Sequence, residues 1–232
     1  MTMLRKTIGA ITMSAAMMAP VASTQVFAAP VAASEQQATA NLVRQLNGIK
    51  SLTANFEQTT KATKSNKAPQ KQGLSAQHMN QTFTGVMKVA RPGKFYWETT
   101  APAKQTIVTS GKMIWIYDPD LQQAIRQNMD EQVANTPALL LSGNTNQIMQ
   151  SYRVTQPNKA KTYYTLYPKQ KDGAFQSLTI SFGANKAPSL MILEDSLGQT
   201  THVKFSNVKV NAGIPDSTFN FTPPKGTDII DQ

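Results

Sequence analysis

The stretch Thr82–Asn128, TFTGVMKVARPGKFYWETTAPAKQTIVTSGKMIWIYDPDLQQAIRQN, decides the fold. It contains five short runs: Thr82–Val89, Lys94–Thr99, Gln105–Thr109, Met113–Asp118 and Gln123–Asn128. The first four are rich in β-branched or aromatic residues and suit half-buried strands. Turn chemistry separates them: Arg91-Pro92-Gly93, Ala101-Pro102, Ser110-Gly111-Lys112 and Asp118-Pro119-Asp120. Pro presets φ, Gly allows positive φ, and Asp bonds its own backbone. Phe83, Met87 and Val89 share one face, with Gly85 between them, and Phe95 and Trp97 share another. Strand signals at this spacing describe an antiparallel meander.

A second set of strand signals follows: Tyr152–Gln156, Thr162–Tyr167, Phe175–Phe182, Leu190–Glu194 and Thr200–Val210. Lys171-Asp172-Gly173 and Ser196-Leu197-Gly198 mark two of its turns. Upstream of the meander, Leu52, Ala54 and Phe56 alternate with Thr53, Asn55 and Glu57. Before them, Ala38, Leu42, Leu46 and Ile49 form one face of a helix, with Ser34 as N-cap and Gly48 near its end. Between the two strand sets, Thr136 can cap, Pro137 fits a first helical position and Gly143 can end the turn. Another short helix is expected over Thr145–Ser151. The fold class is therefore mainly β with a few helices, in one domain of about 10–11 strands. So few helices cannot blanket such a sheet. The economical solution is a curled, unclosed antiparallel β-barrel with helices in its mouth. A packed sandwich is the alternative.

Composition narrows the chemistry. Cysteine is absent from all 232 residues, which excludes disulfides, thiolate metal sites, a cysteine nucleophile and a lipidated cysteine anchor. His78 and His202 are the only histidines, and neither has an acidic or histidine cluster nearby in sequence. Neither metal nor cofactor is expected, and no nucleophile, phosphate-loop or dinucleotide motif argues for an enzyme. Asp118 and Asp120 flank a proline and read as a turn rather than as a catalytic carboxylate pair.

The net charge is +10. Arg5 and Lys6 precede the uncharged stretch Thr7–Val21, and Val26-Phe27-Ala28 supplies small enough residues for cleavage after Ala28. Residues 1–28 thus read as a signal peptide, and 29–232 as the mature domain, exported to the periplasm. Removing Arg5 and Lys6 leaves +8. Lys61, Lys64, Lys67 and Lys71 lie in a polar, aromatic-free stretch over about 61–81, expected to be a mobile basic loop. Without aromatic interleaving it is not a nucleic-acid platform.

Four segments together resemble a known family: Arg91–Trp97 (RPGKFYW), Ser110–Pro119 (SGKMIWIYDP), Asn135–Leu140 (NTPALL) and Phe219–Gly226 (FNFTPPKG). In this order and spacing they are similar to the periplasmic outer-membrane lipoprotein carrier proteins, from about Ala40 to the C-terminus. The resemblance implies an unclosed β-barrel with an α-helical lid over a hydrophobic cavity. It implies a monomeric chaperone for triacylated lipoproteins, taken from an inner-membrane ABC transporter and given to an outer-membrane receptor. A carrier of free lipid or another small hydrophobe on the same fold is the alternative.

The resemblance also implies site residues. Arg91 would latch the lid by bonding helix-end carbonyls, with Leu46, Leu141 and Ser142 as partners. Phe95 and Trp97 would line the acyl-chain cavity, with Met87, Trp115, Leu139 and Leu140 as further lining. Three features depart from the family pattern. The loop from Ala62 to Asn80 looks longer and more basic, Lys94 stands where an apolar residue is common, and Ala138 replaces a bulkier aromatic.

Overall fold

The structure, a computed structural model, describes residues 33–62, 81–110, 112–129, 139–170 and 175–232. The expected signal peptide, nearly all of the basic loop, the Thr136–Pro137 helix start and the turns at Gly111 and Lys171–Gly173 lie outside the described residues.

A single helix, α1 (Glu35–Asn47), opens the domain. Ser34 caps it by accepting from the Gln37 amide at 3.3 Å, and Gly48 closes it by donating to the Arg44 and Leu46 carbonyls. Ala38, Leu42 and Leu46 are fully buried on its sheet-facing side. Each leucine contributes about 1.5–3 kcal/mol by that burial.

The strands are β1 (Ser51–Ala62), β2 (Thr82–Ala90), β3 (Lys94–Ala101), β4 (Gln105–Ser110), β5 (Met113–Asp118) and β6 (Gln123–Asn128). After a 3₁₀ turn at Leu139–Leu141 and helix α2 (Thr145–Ser151) come β7 (Tyr152–Thr155), β8 (Tyr163–Pro168), β9 (Phe175–Phe182), β10 (Pro188–Asp195) and β11 (Gln199–Val210). They form one sheet in the order β12-β6-β5-β4-β3-β2-β1-β11-β10-β9-β8-β7, where β12 is Asp228–Asp231. The sheet does not close, since β7 and β12 are its two edges.

Two differences from the sequence reading have clear causes. The described residues form twelve strands, and β12 pairs parallel with β6 in an otherwise antiparallel sheet. Its four residues are too few to show a period, and its place is set by Arg126, which forks onto Asp231 at 2.6 and 2.9 Å. Strand β1 also runs well beyond Glu57, because Gln58 and Thr60 continue the alternation with polar side chains.

The concave face carries Leu52, Ala54 and Phe56 from β1, Met87 and Val89 from β2, Phe95 and Trp97 from β3, and Leu178 and Ile180 from β9, all buried in one cluster. Phe56 stacks on Trp97 with ring centroids 3.7 Å apart. Gly85, opposite Phe56 in register, makes that stack possible. A Cβ there would lie 1.9 Å from the Glu98 carbonyl oxygen and 2.7 Å from the Phe56 ring. On β11, Asn207 adopts φ 52° within a bulge against β1, after which Val208 and Val210 return to the core side. On the convex face, Phe219 is buried against β3 and β4, and Phe221 covers Trp115 and Tyr117.

Gly85→Val should lower unfolding free energy by about 3 kcal/mol, the upper end for overpacking a tight core. Chemical denaturation measures it; a change below about 0.5 kcal/mol would mean that Phe56 and the Glu98 backbone are not fixed as described.

Candidate functional site

The core fills only part of the concavity. Helix α1 packs over β7 and against α2, and Thr145 donates to Asn47 Oδ1 at 3.0 Å, joining the two helices. Asn41 and Gln45 anchor α1 to Gln156 and to the Lys186 carbonyl, and Glu35 pairs with Arg153 at 3.0 Å. The helices therefore cover one half of the concave face. Over the other half lies a cavity of about 700 Å³. Its walls come from β3–β5 on one side (Phe95, Trp97, Ile107, Ile114, Ile116) and β9–β11 on the other (Leu178, Met191, Leu193, Val203, Phe205). Leu139, in the 3₁₀ turn, borders it from the lid.

Arg91 holds that turn. Strand β2 ends at Ala90, and the tight turn Arg91-Pro92-Gly93 brings the backbone beneath residues 139–143. The Gly93 amide donates to the Ser142 carbonyl at 2.8 Å. The guanidinium donates to the Gly143 carbonyl at 3.2 Å through Nη1 and to the Leu140 carbonyl at 3.5 Å through Nη2. These are carbonyls at the C-terminal end of a short helical turn, where the dipole is negative and the helix leaves them unpaired. Nε is buried without a partner. Burial lowers the pKa to about 10, so the group is charged at neutral pH and the cost of burying that charge is then fully present.

The expected site residues are not all where the sequence reading put them. Phe95, Trp97 and Leu139 line the cavity. Met87 and Leu140 instead are buried in the core cluster and absent from the cavity walls, Met87 lying between Ala54 and Trp97 on the neighbouring strands. Trp115 is a correction of another kind. Strand alternation puts Ile114 and Ile116 inside, so Trp115 points to the convex face, under Phe221 and beside Arg126. The latch acceptors also differ from expectation. Leu140 and Gly143 flank the anticipated Leu141–Ser142 pair, the Ser142 carbonyl is taken by Gly93, and the Leu46 carbonyl by Ile49 and Gly48. Leu141 and Leu46 are buried core residues. The β9–β11 wall was missed, although the alternation of Phe175–Phe182 and Thr200–Val210 carried its signal. The turn at Asp118 behaves as read, with Oδ1 accepting the Asp120 and Leu121 amides, both at 3.0 Å.

A family profile described as "Outer membrane lipoprotein carrier protein LolA" matches residues 47–222, more than half of the chain. The chain belongs to this family. An "Outer-membrane lipoprotein carrier protein" of Pseudomonas fluorescens (strain Pf0-1) is 43% identical over 83% of this chain and 88% of its own length. One of Hahella chejuensis, with the same description, is 40% identical over 80% of this chain and 84% of its own length. Among solved structures, a LolA superfamily protein from Nitrosomonas europaea is 15% identical, covering 79% of this chain and 98% of its own, with a TM-score of 0.46.

Arg91→Leu should speed amide exchange at Ser142 and Gly143 by about tenfold, the weight of one to two hydrogen bonds, and leave β3–β5 unchanged. Hydrogen exchange followed by NMR reads both regions at once. Equal rates in the two proteins would remove the guanidinium from holding the turn.

Proposed function

We propose that this protein is a soluble carrier of lipoproteins, working as a monomer in the periplasm and holding acyl chains in the 700 Å³ cavity. The observation that carries the reading is that apolar cavity, bordered by a lid turn held through a half-buried arginine. The names of the family and of its relatives support the cargo class. In this reading an inner-membrane ABC transporter loads the protein and an outer-membrane receptor unloads it. The reading assigns the cavity no catalysis.

Magnitudes favour a cycle of opening and closing. Each methylene kept from water contributes ~0.8 kcal/mol, so shielding long chains is strongly favourable. Leu139 and its turn border the cavity from the lid, so their withdrawal would enlarge it for a triacylated cargo. The closed state is poised for this. Its guanidinium makes two long bonds to neutral carbonyls, leaves Nε unpaired and has no carboxylate partner among the described residues. Bonds of that quality only partly offset the cost of burying the charge. Incoming chains break them cheaply, and their re-formation on closure helps to expel the cargo.

Native mass spectrometry of the protein isolated from its own periplasm should show one triacylated lipoprotein per carrier. Free phospholipid as the only bound species would favour the small-lipid alternative, and turnover of an acyl ester would point to a hydrolase. In a handover assay, Arg91→Leu should load normally and transfer to the receptor at least tenfold more slowly. Undiminished transfer would sink the latch.

A further inference from the structure

The inner face of the sheet changes character at one level. On β1 it passes from Phe56 to Gln58 and Thr60, on β3 from Trp97 to Thr99, on β4 from Ile107 to Gln105, and on β11 from Val203 to Thr201 and Gln199. Register puts these polar positions side by side, since Thr60 faces Thr201 and Thr99 faces Gln105. All of them line the cavity. They stand at the end where β3, β5 and β10 terminate and β4, β6 and β11 begin, opposite the β9–β10 turn that α1 reaches through Gln45 and the Lys186 carbonyl.

A water-facing rim needs only to be polar, and the chain's 36 charged Lys, Arg, Asp and Glu residues would serve. Among the described residues the level holds mostly uncharged amides and hydroxyls instead, with Lys104 and Asp118 as the two charged residues that line the cavity. The Gln58 and Gln199 side chains are half-buried and Gln105 is exposed, and none of the three amides has a hydrogen-bond partner among the described residues. An uncharged amide loses less than a charged group when a ligand displaces its water, and its NH₂ offers two donors.

We propose that Gln58, Gln105 and Gln199, with Thr99 and Thr201 beside them, form a donor collar for the neutral ester and amide carbonyls that join a cargo's acyl chains to its first residue. This rests on the lipoprotein-carrier reading and adds to it the level at which the linkage carbonyls stop. The chains occupy the apolar wall below. The linkage carbonyls stop at the collar, and the polypeptide leaves into solvent. Depth of insertion is thus set by hydrogen bonds at one level and not by chain length.

The test compares a synthetic triacylated cysteinyl peptide with an analogue whose carbonyls are replaced by ether and amine linkages at equal chain length. Binding is measured by competition with a fluorescent fatty acid, on the wild type and on the triple variant Gln58→Glu, Gln105→Glu, Gln199→Glu. That variant keeps side-chain size and removes the donors. A second triple variant with leucine at the three positions removes the added charge, and a thermal melt confirms that each is folded. The wild type should prefer the carbonyl-bearing peptide about tenfold over its ether analogue, and both variants should lose that preference while binding the ether analogue within threefold of wild type. A preference that persists in both folded variants, or equal wild-type affinity for the peptide and its ether analogue, overturns the collar and leaves the carrier intact. Failure of the wild type to bind any acylated probe overturns the carrier reading, and the collar with it.

Discussion

The structure depends on one imbalance between an apolar surface and the means to cover it. A twelve-stranded sheet exposes a long concave face, and the described chain supplies only a 13-residue helix, a 7-residue helix and one 3₁₀ turn to lay upon it. Where α1 and α2 reach, the face closes into an ordinary core. Where they do not, the sheet curls and the same kind of side chains become the wall of a cavity. Core and cavity are thus one continuous apolar surface. Phe95, Trp97, Leu139 and Leu178 belong to both, since each is buried and each lines the open space. A displacement of the lid would move the border between them and enlarge the cavity at the expense of the core.

Arg91 stands at this border for an electrostatic reason. The turn at residues 139–143 ends a helical segment whose carbonyls need donors away from bulk water, and a guanidinium offers several in one fixed plane. A well-paired arginine would lock the lid. This one is charged, part-buried and held by neutral oxygens alone, so its contribution to closure is small compared with the hydrophobic energy that a bound chain brings. Weak closure beside a strongly apolar wall suits a protein that must both accept and release.

Much of the molecule was legible in the sequence. Ser34, the period of Ala38, Leu42 and Leu46, and Gly48 specified α1, because caps and helical period are local chemistry. The turns at Arg91–Gly93 and Asp118–Asp120 and the alternation around Phe95 and Trp97 specified the meander in the same way. Family motifs singled out Arg91 from among the 23 basic residues. Trp115 could have been placed by alternation alone, since its neighbours Ile114 and Ile116 make a better inward pair. An aromatic residue in a motif drew the reading inward, against the strand's own period.

Local chemistry by itself determined where helix and strands form, that the sheet is mainly antiparallel and that few helices cover it. Only the tertiary structure decided which apolar residues are core and which are cavity. Met87 and Trp97 face each other across β2 and β3, yet one is sealed and the other lines the opening, a distinction that neither register nor alternation carries. Tertiary contact also selected the acceptors of Arg91. A side chain from residue 91 meets the carbonyls of 140 and 143 only once the sheet has curled and the lid has settled on it, and no interval along the chain encodes that distance. The closing strand β12 follows the same rule. Four residues carry no period of their own, and their place is set by a salt bridge from Arg126, 105 positions away from Asp231.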